Sequence, residues 1–417
     1  MSKRILFAPL AVLALAATAC GSDAKTAATT SAAAATTPAA VVTTPAPVVT
    51  TPAAADTTLA AETTAVAAAG ADCSAKIGFM GPFTGDAASI GQEQLNWGKL
   101  GIEDFNKTNG TKFSLVETDT KLDPAEATTG AQKLISDTGV VAVLGPAGSQ
   151  EVEAIGPAMT TAGLVYISPS ATRTSLTKDG KMPTFGRVVP NDDAQGPTVA
   201  NFVKDTIGAK KVFIVDDQTS YSTGLADSAT ATWKTLGVEV VRESIAQKST
   251  DFSTLVSKVT DDVGAVFLPW QIAANAQQFG TQLAEQGKKA VVVGSDGVYS
   301  PKDFSLEGAY VTSFAPDVRG VKAAASVVAE YQKAYDDKFG TFGPPVYVAA
   351  QLIATGIMST CKDGKAGTRA DVTTAVKGTK LADTILGGPI ALDSAGDVVG
   401  AKFYLSKITG GKYILVG

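Results

Sequence analysis

Several short runs in this chain are apolar at nearly every position: "VVAVLGP" (140–146), "LVYISP" (164–169), "VFIVDD" (212–217), "VGAVFLPW" (263–270) and "VVVGSDG" (291–297). A strand with one wet face alternates apolar and polar residues. A strand without alternation is buried on both faces, which happens in parallel sheets covered by helices. Stretches of helical period lie between these runs, such as "GQEQLNWGKLGIEDFNK" and "SQEVEAIGPAMTTAG". Strand–helix alternation of this kind predicts an α/β chain built on parallel sheets.

The alternation runs through "KIGFMG", "KFSLVETD", "VVAVLGP" and "LVYISP", then restarts after residue 190 with "GPTVANFVKDTIG" and "KKVFIVDD". The chain has 417 residues, enough for two or three domains. We therefore expect two doubly wound lobes joined by a multi-stranded hinge. The first comprises 73–190 with about 318–388, and the second 191–317 with about 389–417. Later helices are expected over 320–339 and 344–360, and crossings between lobes near 187–192, 297–318 and 387–393. Helix starts are readable in places: Asp123 is placed as an N-cap, with Pro124 at N1 and Glu126 closing the cap.

The N-terminus reads as a targeting segment. Lys3 and Arg4 precede a short apolar run from Ile5 to Ala16, too short for a membrane span. Small residues then lead to Cys20 in "LAATAC", the pattern of a bacterial lipoprotein signal over 1–19, with Cys20 as the lipid attachment. Residues 20–72 are rich in Ala, Thr, Pro and Val, with a recurring "TTPA" unit, and prolines oppose regular hydrogen bonding there. This segment is expected to be a disordered tether, spanning roughly 150 Å as polyproline II or about 40 Å as a flexible coil.

Composition excludes several functions. The formal charge of −5 argues against a nucleic-acid partner. Histidine is absent, which removes His-based triads and His-containing metal sites. Three cysteines, one assigned to lipid, are too few for a cysteine zinc site. No G-x-G-x-x-G, P-loop or G-x-S-x-G motif occurs. The chain is read as no enzyme, with no cofactor and no metal.

Ligands in such sheets bind beyond the C-terminal edges of the strands. The loops there are "GPFTG" (81–85), "ETDTKLD" (117–123), "GPAGS" (145–149), "SPSATRT" (168–174), "DDQTSYSTG" (216–224), "PWQIAAN" (269–275) and "GSDGVYS" (294–300). They are rich in glycine, hydroxyls, carboxylates and aromatics, and a cleft between two lobes is a favoured place for a small molecule.

The order and spacing of "IGFMGPFTGDAASIG", "VVAVLGPAGS", "YISPSATRTSLT", "FGRVVPNDDAQGPTVANFV", "VFIVDDQTSYSTG", "VVGSDGV" and "LGGPIALDSAGDVV" resemble the type 1 periplasmic binding proteins. The similarity is greatest to the leucine/isoleucine/valine branch of ABC-transporter substrate-binding proteins. It covers essentially all of 73–417. It implies a solute carboxylate on Ser149, Ser170 and Thr172 with backbone from Ala147, an ammonium on Asp296, and Tyr221 closing over the ligand. Where that branch has a "GPEG"-like loop this chain has "GSDG", and where it has a "YGGY"-like stretch this chain has "PWQIA". Trp270 or Gln271 is therefore a candidate pocket residue, and Ile90, which stands where that branch has an aromatic in the first lobe, is another. Ser149 also suits the N-cap of a helix from Gln150, and Arg187 is expected to bridge the lobes.

The resemblance implies an extracytoplasmic, lipid-anchored, monomeric solute-binding protein. It would deliver a small polar solute, most specifically an aliphatic or small amino acid, to an ABC permease and its ATPase. Short amides, urea-like solutes and aromatic acids, and a sensor or structural role on the same fold, are the alternatives. Cys73 begins the first strand and Cys361 ends a helix that runs antiparallel to the strands, so both belong at the edge far from the cleft. An exported protein permits a disulfide between them, the alternative being two free thiols.

Overall fold

A computed structural model describes residues 72–335 and 339–416. Cys20, the signal segment 1–19 and all but the last residue of the 20–72 tether lie outside them.

The body contains two sheets. The first is wholly parallel, in the order β2-β1-β3-β4-β5, formed by β1 (Ser74–Gly81), β2 (Lys112–Asp119), β3 (Val140–Leu144), β4 (Val165–Ser168) and β5 (Phe185–Arg187). Every residue of β3 and β4 is buried, as an unalternating apolar run demands. Helices Ala88–Asn109 and Gly343–Ser359 pack on one another over this sheet, and the core there joins Phe79, Trp97, Leu144, Ile167 and Ile353. Trp97 stacks on Tyr331 with ring centres 4.3 Å apart, so its role is packing.

The second sheet contains β6 (Lys211–Asp216), β7 (Glu239–Ser244), β8 (Ala265–Leu268), β9 (Val291–Gly294) and β10 (Tyr310–Ser313) as parallel strands. Between the lobes' sequences, β11 (Lys380–Leu381) and β12 (Ile390–Ala391) form a separate small ladder. The last strands, β13 (Tyr404–Thr409) and β14 (Lys412–Leu415), add to β10 in antiparallel fashion, giving the order β14-β13-β10-β9-β8-β6-β7.

Both sheets reverse direction in strand order next to their first strand, between β1 and β3 and between β6 and β8. Such reversals splay the following loops apart and open a crevice at the strands' C-terminal ends. The loops after β3 and β6 carry Ala147, Ser149 and Tyr221; those after β4 and β9 carry Ser170, Thr172 and Asp296.

Three details differ from the sequence reading. Segment 390–398 stays with the first lobe, because Gly396 O accepts from Arg187 N at 2.9 Å and Gly396 lies against the Phe185 backbone. The third crossing thus falls after residue 398, not at 387–393. The expected 320–339 helix is two short 3-10 turns followed by Ala325–Ala334. Asp123 caps its helix through Ala125 N and Glu126 N, but Glu126 pairs with Lys121 at 3.1 Å instead of closing the cap.

Cys73 and Cys361 are joined by a disulfide with Cα atoms 6.1 Å apart, at the N-terminal end of β1 where Ser74 also bonds Gly364 O. The bond closes a loop of 288 residues in sequence, and cross-links over long loops restrict the unfolded chain most. Cys73→Ser should lower the melting temperature by roughly 5–10 °C, from about 2–4 kcal/mol of lost stability. Reduction of the unaltered protein should produce the same drop in a calorimetric scan, and reduction should leave the variant unchanged.

Candidate functional site

The hydroxyl-rich loop after β4 folds back on the loop after β3. Gly145 begins the latter with φ +99°, and a Cβ there would lie 2.1 Å from Met80 O, so only glycine fits. Ser168 Oγ donates to Pro146 O at 2.6 Å and accepts from Ala171 N at 2.9 Å. Ser170 Oγ donates to Ala147 O at 2.9 Å and accepts from Gln94 Nε2 at 2.9 Å. Ser149 Oγ accepts from Arg173 N at 3.2 Å. Ser149 is the first helical residue and not the cap. Gly148 holds the cap position, and Glu151 Oε2 accepts from Gly148 N at 2.5 Å.

Arg187 anchors this loop. Its guanidinium is fully buried, paired with Asp397 at 2.5 Å, and donates to the carbonyls of Ala171 (3.0 Å) and Arg173 (2.8 Å) and to Thr177 Oγ1 (2.7 Å). All of these partners belong to the first lobe and its 390–398 segment. Arg187 therefore braces the loop and does not bridge the lobes, as five fixed donors can hold two carbonyls and a carboxylate at once.

The second lobe presents a carboxylate. Asp296 is 1 % exposed, and its Oδ1 accepts from Tyr221 OH at 2.7 Å and from Gln195 Nε2 at 2.5 Å. Gln195 Nε2 also donates to Thr312 Oγ1 at 2.7 Å. Burial pushes the Asp296 carboxyl up to about 6, against the two hydrogen bonds that favour its charge. A second acid, Asp192, sits where helix Asp192–Phe202 begins. Its backbone N–H donates to Thr172 O at 2.9 Å, and its carboxylate lies beside the Thr172 hydroxyl, short of a well-formed hydrogen bond. Burial first, then the Asp296 charge, push Asp192 up to about 7.

The lobes are closed on one another. Gln150 Nε2 donates to Gln271 Oε1 across the cleft at 2.8 Å, and Arg173 reaches Ser220 O and Thr223 Oγ1. Ile90, Ala147 and Val189 pack in one apolar cluster with Phe314, Phe342 and Phe403. Ala87 and Leu122 of the first lobe meet Ile272 of the second. At the mouth a cavity of about 770 Å³ is lined by Asp86, Lys121, Asp123 and Gln150 on one side and Ser220 and Lys248 on the other.

Seven of the candidate residues thus fall in one connected region: Ile90, Ala147, Ser149, Ser170, Thr172, Tyr221 and Asp296. Trp270 does not. Its indole donates to Val215 O at 2.7 Å and packs with Phe252 and Phe279 in the second lobe's core, while its neighbour Gln271 reaches the cleft. Asp192, Gln195, Gln94 and Thr312 join the site without having been singled out. "NDDAQG" reads as ordinary acidic helix-start chemistry, and only the tertiary burial of Asp192 and Gln195 distinguishes them from caps.

A family model described as "Periplasmic binding protein" matches residues 74–412, and the chain belongs to that family. A Leu/Ile/Val-binding protein of Rhizobium johnstonii is 28 % identical over 355 residues, 82 % of this chain and 94 % of that protein. A leucine-specific-binding protein of Salmonella typhimurium is 27 % identical over 341 residues, 79 % and 89 % of the two chains. Among solved structures, the branched-chain amino acid transporter substrate-binding protein LivJ of Streptococcus pneumoniae, in complex with isoleucine, superposes with TM-score 0.73. It is 25 % identical over 82 % of this chain and 99 % of that one. These relatives place the chain in the leucine/isoleucine/valine branch, whose matched members are binding proteins and not enzymes. Membership of a periplasmic family places the body outside the cytoplasm. Among the described residues no helix is long and apolar enough to cross a membrane.

The raised carboxyl of Asp192 carries a stability signature. A folded-state value near 7 against about 4 in the unfolded chain means the native state holds its proton longer. Stability is therefore lost as pH rises between those values and stays reduced above them. Replacing Asp192 by Asn removes that cost. Thermal unfolding without solute should favour Asp192→Asn over the parent more strongly at pH 8 than at pH 5, by on the order of 2 kcal/mol. A difference that does not change with pH would show that Asp192 titrates normally.

Proposed function

We propose that this periplasmic binding protein captures a small polar solute between its two lobes and delivers it to an ABC permease powered by its ATPase. The solute class is an α-amino acid with an aliphatic or small side chain. Cys20 carries the lipid that anchors the chain to the membrane, and 20–72 is the tether. The body acts as a monomer, and no covalent step is assigned to it.

One observation carries this reading: a carboxylate, Asp296, is buried between the lobes opposite a hydroxyl-rich first-lobe loop. A buried carboxylate is tolerated only with a counter-charge or full hydrogen bonding. An ammonium supplies the first, and Ser149, Ser170 and Thr172 with the backbone near Ala147 suit the carboxylate at the other end of the same small molecule. Tyr221, bonded to Asp296 within the second lobe, holds that carboxylate in place. The apolar cluster of Ile90, Phe314 and Phe342 borders Ala147 and suits a short aliphatic side chain. Names of the relatives that bind leucine, isoleucine or valine support the same class.

The test is a thermal-shift screen of the full chain, refolded from denaturant to remove carried ligand, against the twenty amino acids, small amides, urea and aromatic acids. A binder at a hundred times its dissociation constant adds about 2.7 kcal/mol. The expected result is a shift with one or more aliphatic amino acids that disappears in Asp296→Ala and in Thr172→Ala. A shift only with acids or amides that lack an ammonium would contradict the assignment of Asp296.

A further inference from the structure

We propose that Arg173 is a positioning residue of the cleft: its guanidinium latches the second lobe to the first beside the solute site and sets how long a captured solute stays. This rests on the reading that the lobes close around a solute, and not on which solute that is.

Arg173 is held from within the first lobe. Its backbone N–H donates to Ser149 Oγ at 3.2 Å, and its carbonyl accepts from Arg187 at 2.8 Å. Along the side chain, Nε donates to Ser175 Oγ at 3.0 Å and lies 3.1 Å from Glu153 Oε1. These contacts orient the guanidinium, and Nη1 goes on to the second lobe. It donates to Ser220 O and, at 3.3 Å, to Thr223 Oγ1, both in the first turn of helix Ser220–Thr235. Ser220 immediately precedes Tyr221, whose hydroxyl bonds Asp296 at 2.7 Å. The latch thus grips the turn that carries Tyr221.

The second lobe offers this group a seat. The three atoms nearest to a Cβ built at Gly224 all belong to Arg173: Nη1 at 2.9 Å, Cγ at 3.2 Å and Cζ at 3.4 Å. Gly224 lies inside the helix, where glycine is less favourable than alanine. Its φ is not positive, so no left-handed turn calls for glycine there. What glycine provides at this position is room for the guanidinium.

The helix itself does not attract a cation at this end. The N-terminal turn carries partial positive charge, which opposes a guanidinium. Glu153 offsets that charge from the first lobe, and the hydrogen bonds to Ser220 and Thr223 hold the group in place. A second charged contact between the lobes, Lys178 and Thr174 with Asp193, lies beside the first crossing, where hinge motion displaces the chain least. Arg173 instead reaches a helix that moves away when the lobes part. A bond made only in the closed arrangement favours that arrangement by its own free energy. Such contacts act chiefly on release.

The experiment has two arms on the full-length protein. In the first, the protein is loaded with tritiated L-leucine, and release is followed after a chase with unlabelled leucine. Arg173→Ala should release leucine about tenfold faster, the worth of one charge-assisted hydrogen bond at a partly exposed site. Association should change by less than about threefold. Arg173→Lys, which keeps a donor, should recover part of the lifetime. Gly224→Ala should also speed release, because the added methyl displaces the guanidinium. Without solute it should melt no lower than the parent, since alanine suits the helix, which separates loss of the latch from damage to the fold. Equal release from the parent and Arg173→Ala, or a loss of affinity carried wholly by association, overturns the proposal and leaves the amino-acid reading intact.

The second arm needs no solute. Pulsed dipolar distances between spin labels at Asp86→Cys and Lys248→Cys, on opposite sides of the mouth, give the closed fraction of the unliganded protein in a Cys20→Ser background. That fraction should fall by about threefold or more in both Arg173→Ala and Gly224→Ala. An unchanged fraction in both variants overturns the proposal. A fall in both variants of a protein that binds no leucine supports the latch and counts against the amino-acid reading.

Discussion

Two carboxylates buried between two lobes set the terms for the rest of this molecule. Removing a carboxylate from water costs several kcal/mol unless a counter-charge or donors replace the water. Asp296 obtains donors from Tyr221 and Gln195, which come from different helices of the second lobe. Asp192 has the Thr172 hydroxyl beside it.

The remaining architecture holds these groups in place. The crevices where strand order reverses put the loops after β3 and β6 at the cleft, and the neighbouring strands supply the loops with Ser170, Thr172 and Asp296. Arg187 stiffens the hydroxyl loop by holding two of its carbonyls while its own charge is balanced by Asp397, far away in sequence. Around the centre, Gln150–Gln271, Arg173–Ser220 and the Leu122–Ile272 contact form a rim that excludes water from the acids and strengthens their interactions. The disulfide at the opposite end of β1 leaves this region free to move.

The fold was legible because its signal is redundant. Unalternating strands, helical periods between them and a restart after residue 190 independently indicate two parallel-sheet lobes, while β10, the small β11–β12 ladder and the antiparallel β13–β14 edge are additions. The site was legible where a residue ends a strand: Ser149, Thr172, Tyr221 and Asp296 lie within a few residues of a strand's C-terminal end, and topology alone carries them to the cleft. It was not legible where function depends on which way a side chain turns. Trp270 follows a strand as Asp296 does, yet its indole enters the core. Asp192 and Gln195 lie on a helix start, where acids are common for local reasons. The role of Arg187 depended on the path of segment 390–398, which carries no strong periodicity.

The central claim is that a solute closes the two lobes. Spin labels at Asp86→Cys and Lys248→Cys, exposed residues on opposite sides of the mouth cavity, measure it directly in a Cys20→Ser background. Distances would be read by pulsed dipolar spectroscopy with and without an amino acid that raises the melting temperature. The account predicts a broad, longer distribution without solute that collapses to one short distance with it. The same distribution in both samples, with binding established, would contradict it.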